Sequence, residues 1–172
     1  HGGYIRVTSK LDIGTTTCIY LPASPNQVQL IEEHEEVSAI AGPKKILVMD
    51  DEALLREFVK DVLTSMGYDV QMAKDGEEAV RFYAQEYAAE KPFDAVILDL
   101  TVKGGMGGRE TVQRLTELDH DIKAVVSSGY SNDPVLAEYQ QNGFIGRLSK
   151  PFTVEELDEC VRSSIRRGFT RD

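Results

Sequence analysis

The chain is predicted to be an α/β protein built on a five-stranded parallel sheet with helices on both faces, preceded by a separate β-hairpin. Three observations predict this. From Lys44 onward, short apolar runs alternate five times with segments of helical period, and such alternation builds a parallel sheet covered on both sides. One run, Ala95-Val96-Ile97-Leu98, is apolar without interruption before Asp99, as a central strand buried on both faces is. Acidic, hydroxyl and lysine residues stand just after several of these runs, at the edge where open α/β sheets hold their ligands.

Taken in order, residues 1–21 contain two strand-like runs, Tyr4-Ile5-Arg6-Val7 and Cys18-Ile19-Tyr20-Leu21, around a turn at Asp12-Ile13-Gly14-Thr15. They predict a hairpin, which is marginal alone and encloses no core. Residues 22–43 open with Pro22-Ala23-Ser24-Pro25-Asn26 and close with Ala41-Gly42-Pro43, a composition that reads as a linker. Inside it His34 sits in the acidic run Glu32-Glu33-His34-Glu35-Glu36 and reads as a solvated linker histidine, since charge runs mark exposed segments.

Residues 44–172 form the main domain. The first strand is Ile46 to Met49. A helix follows with Leu54, Leu55, Phe58, Val59, Val62, Leu63 and Met66 as its apolar stripe, ended by Gly67. The second strand runs from Asp69 to Ala73. Its helix starts at Asp75, with Glu78 in capping-box spacing, and turns Ala79, Val80, Tyr83 and Tyr87 inward. The third strand is Ala95 to Asp99, and the helix after it uses Val112, Leu115 and Leu118. The fourth strand is Ala124 to Ser127. Asp133-Pro134 then supplies a cap and a first-turn proline for a short helix ending at Gly143. Phe144 to Leu148 is the expected last strand. Thr153 and Glu156 have capping-box spacing for a final helix with Leu157, Cys160, Val161, Ser164 and Ile165 on one face.

Composition narrows the function. The 172-residue chain has a formal net charge of −10, which argues against nucleic acid as a direct partner, because phosphate backbones need a basic face. No apolar run approaches the roughly 20 residues of a membrane span, so no direct membrane contact is expected of these residues. Cys18 and Cys160 lie far apart without metal-type spacing. Reduced thiols in a cytoplasmic compartment are the simplest reading, and a longer parent protein could still be membrane-attached.

The chemistry gathers at one edge. The first strand leads into Asp50 and Asp51, the third ends on Asp99, the fourth leads to Ser128 and the fifth to Lys150-Pro151. With the strand order 2-1-3-4-5 of flavodoxin-like folds, the switch point lies between the first and third strands, where the three carboxylates would meet. At about 4 Å and an effective dielectric near 20, each carboxylate pair repels by about 4 kcal/mol before screening. Such a cluster takes up protons or holds a cation, and hard oxygen ligands suit Mg²⁺. Together with the Lys150 ammonium and the Ser128 hydroxyl, a metal here makes a site for a phosphoryl group on Asp99.

This constellation resembles the receiver domain of two-component signalling. The resemblance covers residues 44–167 and implies that Asp99 is the phosphoacceptor and that Asp51 binds Mg²⁺ directly. It implies too that Asp50 acts through a metal-bound water and that the Thr101 carbonyl completes the protein ligands. Ser128 and Lys150 match the residues that contact the phosphoryl group, and the bond before Pro151 is cis in the family, as proline permits at low cost. Such a domain catalyses its own phosphotransfer and dephosphorylation.

Two positions depart from the family. After the acceptor it usually has a Met-Pro pair, whereas this chain has Val102-Lys103 followed by Gly104-Gly105; without the proline and with added glycines the loop is expected to be freer. The aromatic switch position holds Arg147, which cannot bury as an aromatic ring would. Thr101 and Tyr130 occupy positions that tune phosphoryl lifetime in the family.

The N-terminal words His1-Gly2-Gly3-Tyr4-Ile5-Arg6-Val7, Ser9, Gly14-Thr15-Thr16 and Ile19-Tyr20-Leu21-Pro22 resemble the closing hairpin of the ATP-binding domain of sensor histidine kinases. The asparagine-bearing helix, the Asp-x-Gly-x-Gly motif and the glycine-rich lid of that domain are not among these residues, so the hairpin is not expected to bind ATP. The two resemblances together imply a receiver from a hybrid histidine kinase. Its partner would be a histidine kinase transmitter or a histidine phosphotransfer protein, and the exposed hairpin edges could pair with a second copy as a homodimer or dock on the receiver.

The alternative is a phosphorylation-independent interaction module, a pseudo-receiver. An aspartate-nucleophile phosphatase would need a second aspartate where Thr101 stands. A flavin-binding protein of the same fold would meet repulsion between its phosphate and the acidic switch point.

Overall fold

In the computed structural model of the chain, the described residues are 2–22, 43–129 and 134–166. The structure divides into two compact units, residues 1–39 and 40–172. In the first unit β1 (Tyr4–Lys10) and β2 (Gly14–Tyr20) pair antiparallel, from Tyr4 opposite Tyr20 to Lys10 opposite Gly14. The Ile13 N–H closes the turn on the Lys10 carbonyl. Ile5, Val7 and Ile19 share one face by strand alternation, and all three are exposed. Tyr4 and Tyr20 stack on the other face at 4.5 Å between ring centres.

The second unit carries β3 (Lys45–Met49), β4 (Asp69–Ala73), β5 (Ala95–Asp99), β6 (Ala124–Ser128) and β7 (Gly146–Ser149). They form one parallel sheet in the order β4-β3-β5-β6-β7, which is the expected 2-1-3-4-5. The helices are α1 (Ala53–Ser65), α2 (Gly76–Ala88), α3 (Gly108–Leu118), the short α4 (Pro134–Ala137), and α5 (Val154–Arg166), with a 3₁₀ turn at Tyr139–Asn142 between α4 and β7. Strand alternation sends successive side chains to opposite cores. Ile46, Val48, Ala95, Ile97, Val125 and Leu148 pack under α1 and α5 with Val59, Leu63, Leu157 and Val161. Leu47, Met49, Val96, Leu98 and Val126 pack on the other side with Ala79, Tyr83, Val112, Leu115 and Phe144.

The expected helix signals appear as bonds. Asp75 caps α2 by accepting the Glu78 N–H at 2.9 Å, and Glu78 reaches back to the Lys74 N–H. Thr153 and Glu156 form a reciprocal capping box at the start of α5. Gly67 and Gly143 take left-handed φ of 89° and 86°, the conformation that ends a helix and that glycine adopts without penalty.

Two expectations need correction. The last strand begins at Gly146 rather than Phe144. The Phe144 N–H instead closes the preceding turn on the Tyr139 carbonyl, and its ring fills the core near Leu136. Leu54 and Phe58, expected in the apolar stripe of α1, are exposed, as are Tyr87 and Leu118, because the buried arc of a helix on a sheet is narrower than the stripe the sequence offers. The Asp133 cap lies outside the described residues, as do His34 and Tyr130.

Candidate functional site

Five strands deliver their carboxyl ends to one edge, and residues at the ends of β3, β5 and β7 meet there. Asp50 and Asp99 are buried, at 5% and 6% exposure, while Asp51 is exposed. Carboxylate oxygens of Asp50, Asp51 and Asp99 lie within 4.8 Å of one another. Lys150 reaches in from the end of β7, its Nζ 2.6 Å from Asp50 Oδ2 and 2.7 Å from Asp99 Oδ1. One ammonium is thus shared by two buried carboxylates. The Lys150–Pro151 bond is cis, as the resemblance implies.

Local structure explains the placement. Asp50 Oδ1 accepts the Glu52 N–H at 2.9 Å, turning the chain into α1, and its backbone carbonyl accepts from the Arg56 guanidinium. Asp99 lies opposite Ser127 in the sheet, and Ser128 opposite Ser149. Ser128 is buried, and its carbonyl accepts the Lys150 N–H at 2.8 Å. Thr101 is exposed, two residues past the end of β5.

The electrostatics follow from crowding. Burial pushes the Asp99 carboxyl up to about 6; its bonds to Lys150 work against that rise, while Asp50 and Asp51 add to it. For Lys150, burial alone would lower the pKa, but the bonds to Asp50 and Asp99 outweigh it and the group is raised. Lys150 therefore stays an ammonium, while Asp99 is held near its ionisation point.

The donor set fits Mg²⁺. Three clustered carboxylate oxygens, one of them on an exposed residue, offer the hard ligands that ion takes while leaving room for its waters. Bound there, Mg²⁺ would neutralise surplus carboxylate charge and draw a phosphoryl oxygen toward Asp99.

The structure brings Asp50, Asp51, Asp99 and Lys150 together and sets Ser128 on the adjacent strand end. Arg147 does not enter the cluster: it is exposed, donates to the Leu136 carbonyl at 3.3 Å, and lies over the Tyr139 ring at 5.9 Å. Past Gly104 and Gly105, the later glycines of the run pack closely. A Cβ at Gly107 would fall 2.5 Å from the Leu100 carbonyl oxygen, and one at Gly108 would fall 2.7 Å from that of Asp99. These two glycines serve close approach to the acceptor strand rather than freedom. Between them and the acceptor, the Met106 N–H is held by Glu77 at 3.1 Å and the Lys103 N–H by Asp51 at 3.2 Å. Sequence reading missed Arg56, Glu77 and the Lys103 amide. Glu77 could have been suspected from its place in the first turn of α2, beside the site edge; the Lys103 amide shows only as the absence of the family's proline, and Arg56 leaves no signal in residue type.

Comparison with known proteins agrees with this geometry. Residues 46–162 match the response regulator receiver domain family, and the chain belongs to it. It is a receiver of two-component systems with the CheY-like fold. Over 119 residues it is 28% identical to Sporulation initiation phosphotransferase F of Bacillus subtilis, covering 69% of this chain and 91% of that protein. An alignment of 180 residues with Sensor kinase CckA of Brucella abortus is 29% identical and covers 96% of this chain but 18% of the kinase. The solved structure of response regulator TrrA from Thermotoga maritima, a complex with Mg²⁺ and BeF, aligns with a TM-score of 0.60 at 30% identity, over 70% of this chain and 98% of that one. Among the described residues no helix is long and apolar enough to cross a membrane.

Proposed function

We propose that the chain is a phosphorylatable receiver of a phosphorelay, with Asp99 as the acceptor. The carrying observation is the Lys150 ammonium bound to both Asp50 and Asp99 at the mouth of the switch point. In the transfer, an Asp99 oxygen forms a bond to the phosphorus of a phosphohistidine. The phosphorus–nitrogen bond breaks, and its electron pair leaves with the imidazole. Lys150 and Ser128 would bind the phosphoryl oxygens. Asp51, Asp50 through water, and the Thr101 carbonyl would hold Mg²⁺. The donor would be a histidine kinase transmitter or a histidine phosphotransfer protein.

We further infer that the receiver belongs to a hybrid histidine kinase, with residues 1–21 the end of its ATP-binding domain, 22–43 a linker and 44–172 the receiver. The similarity to CckA supports this, because it runs over nearly the whole chain and so reaches the hairpin. The test is incubation with Mg²⁺ and acetyl phosphate, wild type beside Asp99→Asn. Label on wild type and none on the variant is expected. Equal label on both removes Asp99 as acceptor, and no label on either favours the pseudo-receiver reading.

A further inference from the structure

We propose that the backbone N–H of Lys103 is a positioning group for Asp51, holding that carboxylate where it meets a cation. The inference rests on the reading of Asp50, Asp51 and Asp99 as Mg²⁺ ligands.

The three carboxylates are not equally constrained. Asp50 and Asp99 are buried and tied to Lys150, and Asp50 is bonded to the Glu52 N–H as well. Asp51 is exposed, and a carboxylate on a solvated side chain samples several rotamers unless something fixes it. What fixes it is the loop after the acceptor: the Lys103 N–H donates to Asp51 Oδ2 at 3.2 Å. A charged acceptor makes this bond stronger than a neutral one.

The loop can do this because its far half is anchored. Met106 is buried, its N–H bonded to Glu77 and its carbonyl accepting the Gly76 N–H at 2.9 Å. Gly107 and Gly108 press against the carbonyls of Leu100 and Asp99. Between anchor and donor, Gly104 takes a left-handed φ of 74° with open space around it, a turn that side-chain-bearing residues rarely make. The near half is thereby turned so that an amide faces the cluster. At this place the family usually has the proline of its Met-Pro pair, which has no N–H to give. Lysine in its stead does not merely loosen the loop; it supplies a donor.

A fixed Asp51 pays less ordering entropy when a metal arrives. The test compares Lys103→Pro, which removes the N–H, with Lys103→Ala, which keeps it and removes only the side-chain charge. Mg²⁺ affinity is read by isothermal titration calorimetry and metal-free stability by thermal melting. Lys103→Ala is expected to bind within about twofold of wild type, since its exposed charge is screened. Lys103→Pro is expected to bind about fivefold more weakly, with its metal-free melting temperature unchanged.

Equal affinity in the two variants overturns the inference alone. A parallel fall of affinity and metal-free stability also overturns it, by marking the N–H as structural. A wild type that takes up no Mg²⁺ brings down the site reading and this inference with it. Should Lys103→Pro fail to fold, amide hydrogen exchange in metal-free wild type and Asp51→Ala decides. Protection is expected to be lost at Lys103 and kept at Met106, and unchanged exchange at Lys103 overturns the proposal.

Discussion

At the amino-terminal edge of the parallel sheet, Lys44 meets Asp94 at 2.9 Å and Lys45 meets Glu86 at 2.6 Å, one anion to each cation. Lys45 also lies over the Phe93 ring, which stacks on Tyr83, and the Tyr83 hydroxyl donates to Asp119 at 2.7 Å. At the carboxyl-terminal edge a single Lys150 serves Asp50 and Asp99, with Asp51 close by. Matched, partly exposed pairs tie the start of β3 to the residue before β5 and to α2, and ask for nothing further. An unmatched, buried set carries a repulsion that a cation can relieve, and that is a binding site's signature rather than a fastening's. The same sheet thus keeps its two edges for different tasks.

Substitution of the lysines should show the contrast most strongly. Lys150→Met leaves two buried carboxylates without their counter-charge and is expected to cost about 3 kcal/mol in urea unfolding without Mg²⁺. Lys45→Met removes half of a partly exposed pair and is expected to cost about 1 kcal/mol. Equal costs would break the comparison. The next largest effect is that of the metal. At about a hundred times its dissociation constant, Mg²⁺ is expected to stabilise the wild type by about 2.7 kcal/mol. Asp51→Ala should lose most of that gain and Glu86→Gln at the other edge should keep it. Thermal melts with and without Mg²⁺ measure both.

Much of this was legible in the sequence because Asp50, Asp99 and Ser128 each stand next to a strand whose apolar run is unmistakable. Asp99 ends Ala95-Val96-Ile97-Leu98, and parallel topology alone then carries Asp50, Ser128 and Lys150 to the same edge. What was illegible depends on distances between backbones. Phe144 looks like the start of a strand, yet the left-handed Gly143 and the Phe144 bond to the Tyr139 carbonyl keep it in the turn, and the chain first bonds β6 through the Ile145 N–H. A glycine at 107 or 108 could mean freedom or close approach, and only the Leu100 and Asp99 carbonyls decide. The Lys103 amide showed only as the absence of the family's proline, and that it faces Asp51 depends on the turn of the loop.

The smallest expected effect isolates the unmatched charge itself. In the folded protein burial holds the Asp99 carboxyl at about 6, against an ordinary value of 3.8. Between those two values the folded state binds the proton more tightly than the unfolded chain, so this group's contribution to stability falls as pH rises through the window and is flat above it. Asp99→Asn has nothing to titrate there. The metal-free wild type should therefore gain about 1–2 kcal/mol relative to the variant between pH 7 and pH 4.5, after allowance for solvent screening. Urea unfolding of both proteins at the two pH values measures it. Parallel profiles would mean that Lys150 already balances Asp99 fully, and the contrast between the two edges would then rest on geometry alone. A gain that disappears in saturating Mg²⁺ would sharpen it, because a cation that favours the ionised carboxylate removes the advantage of protonating it.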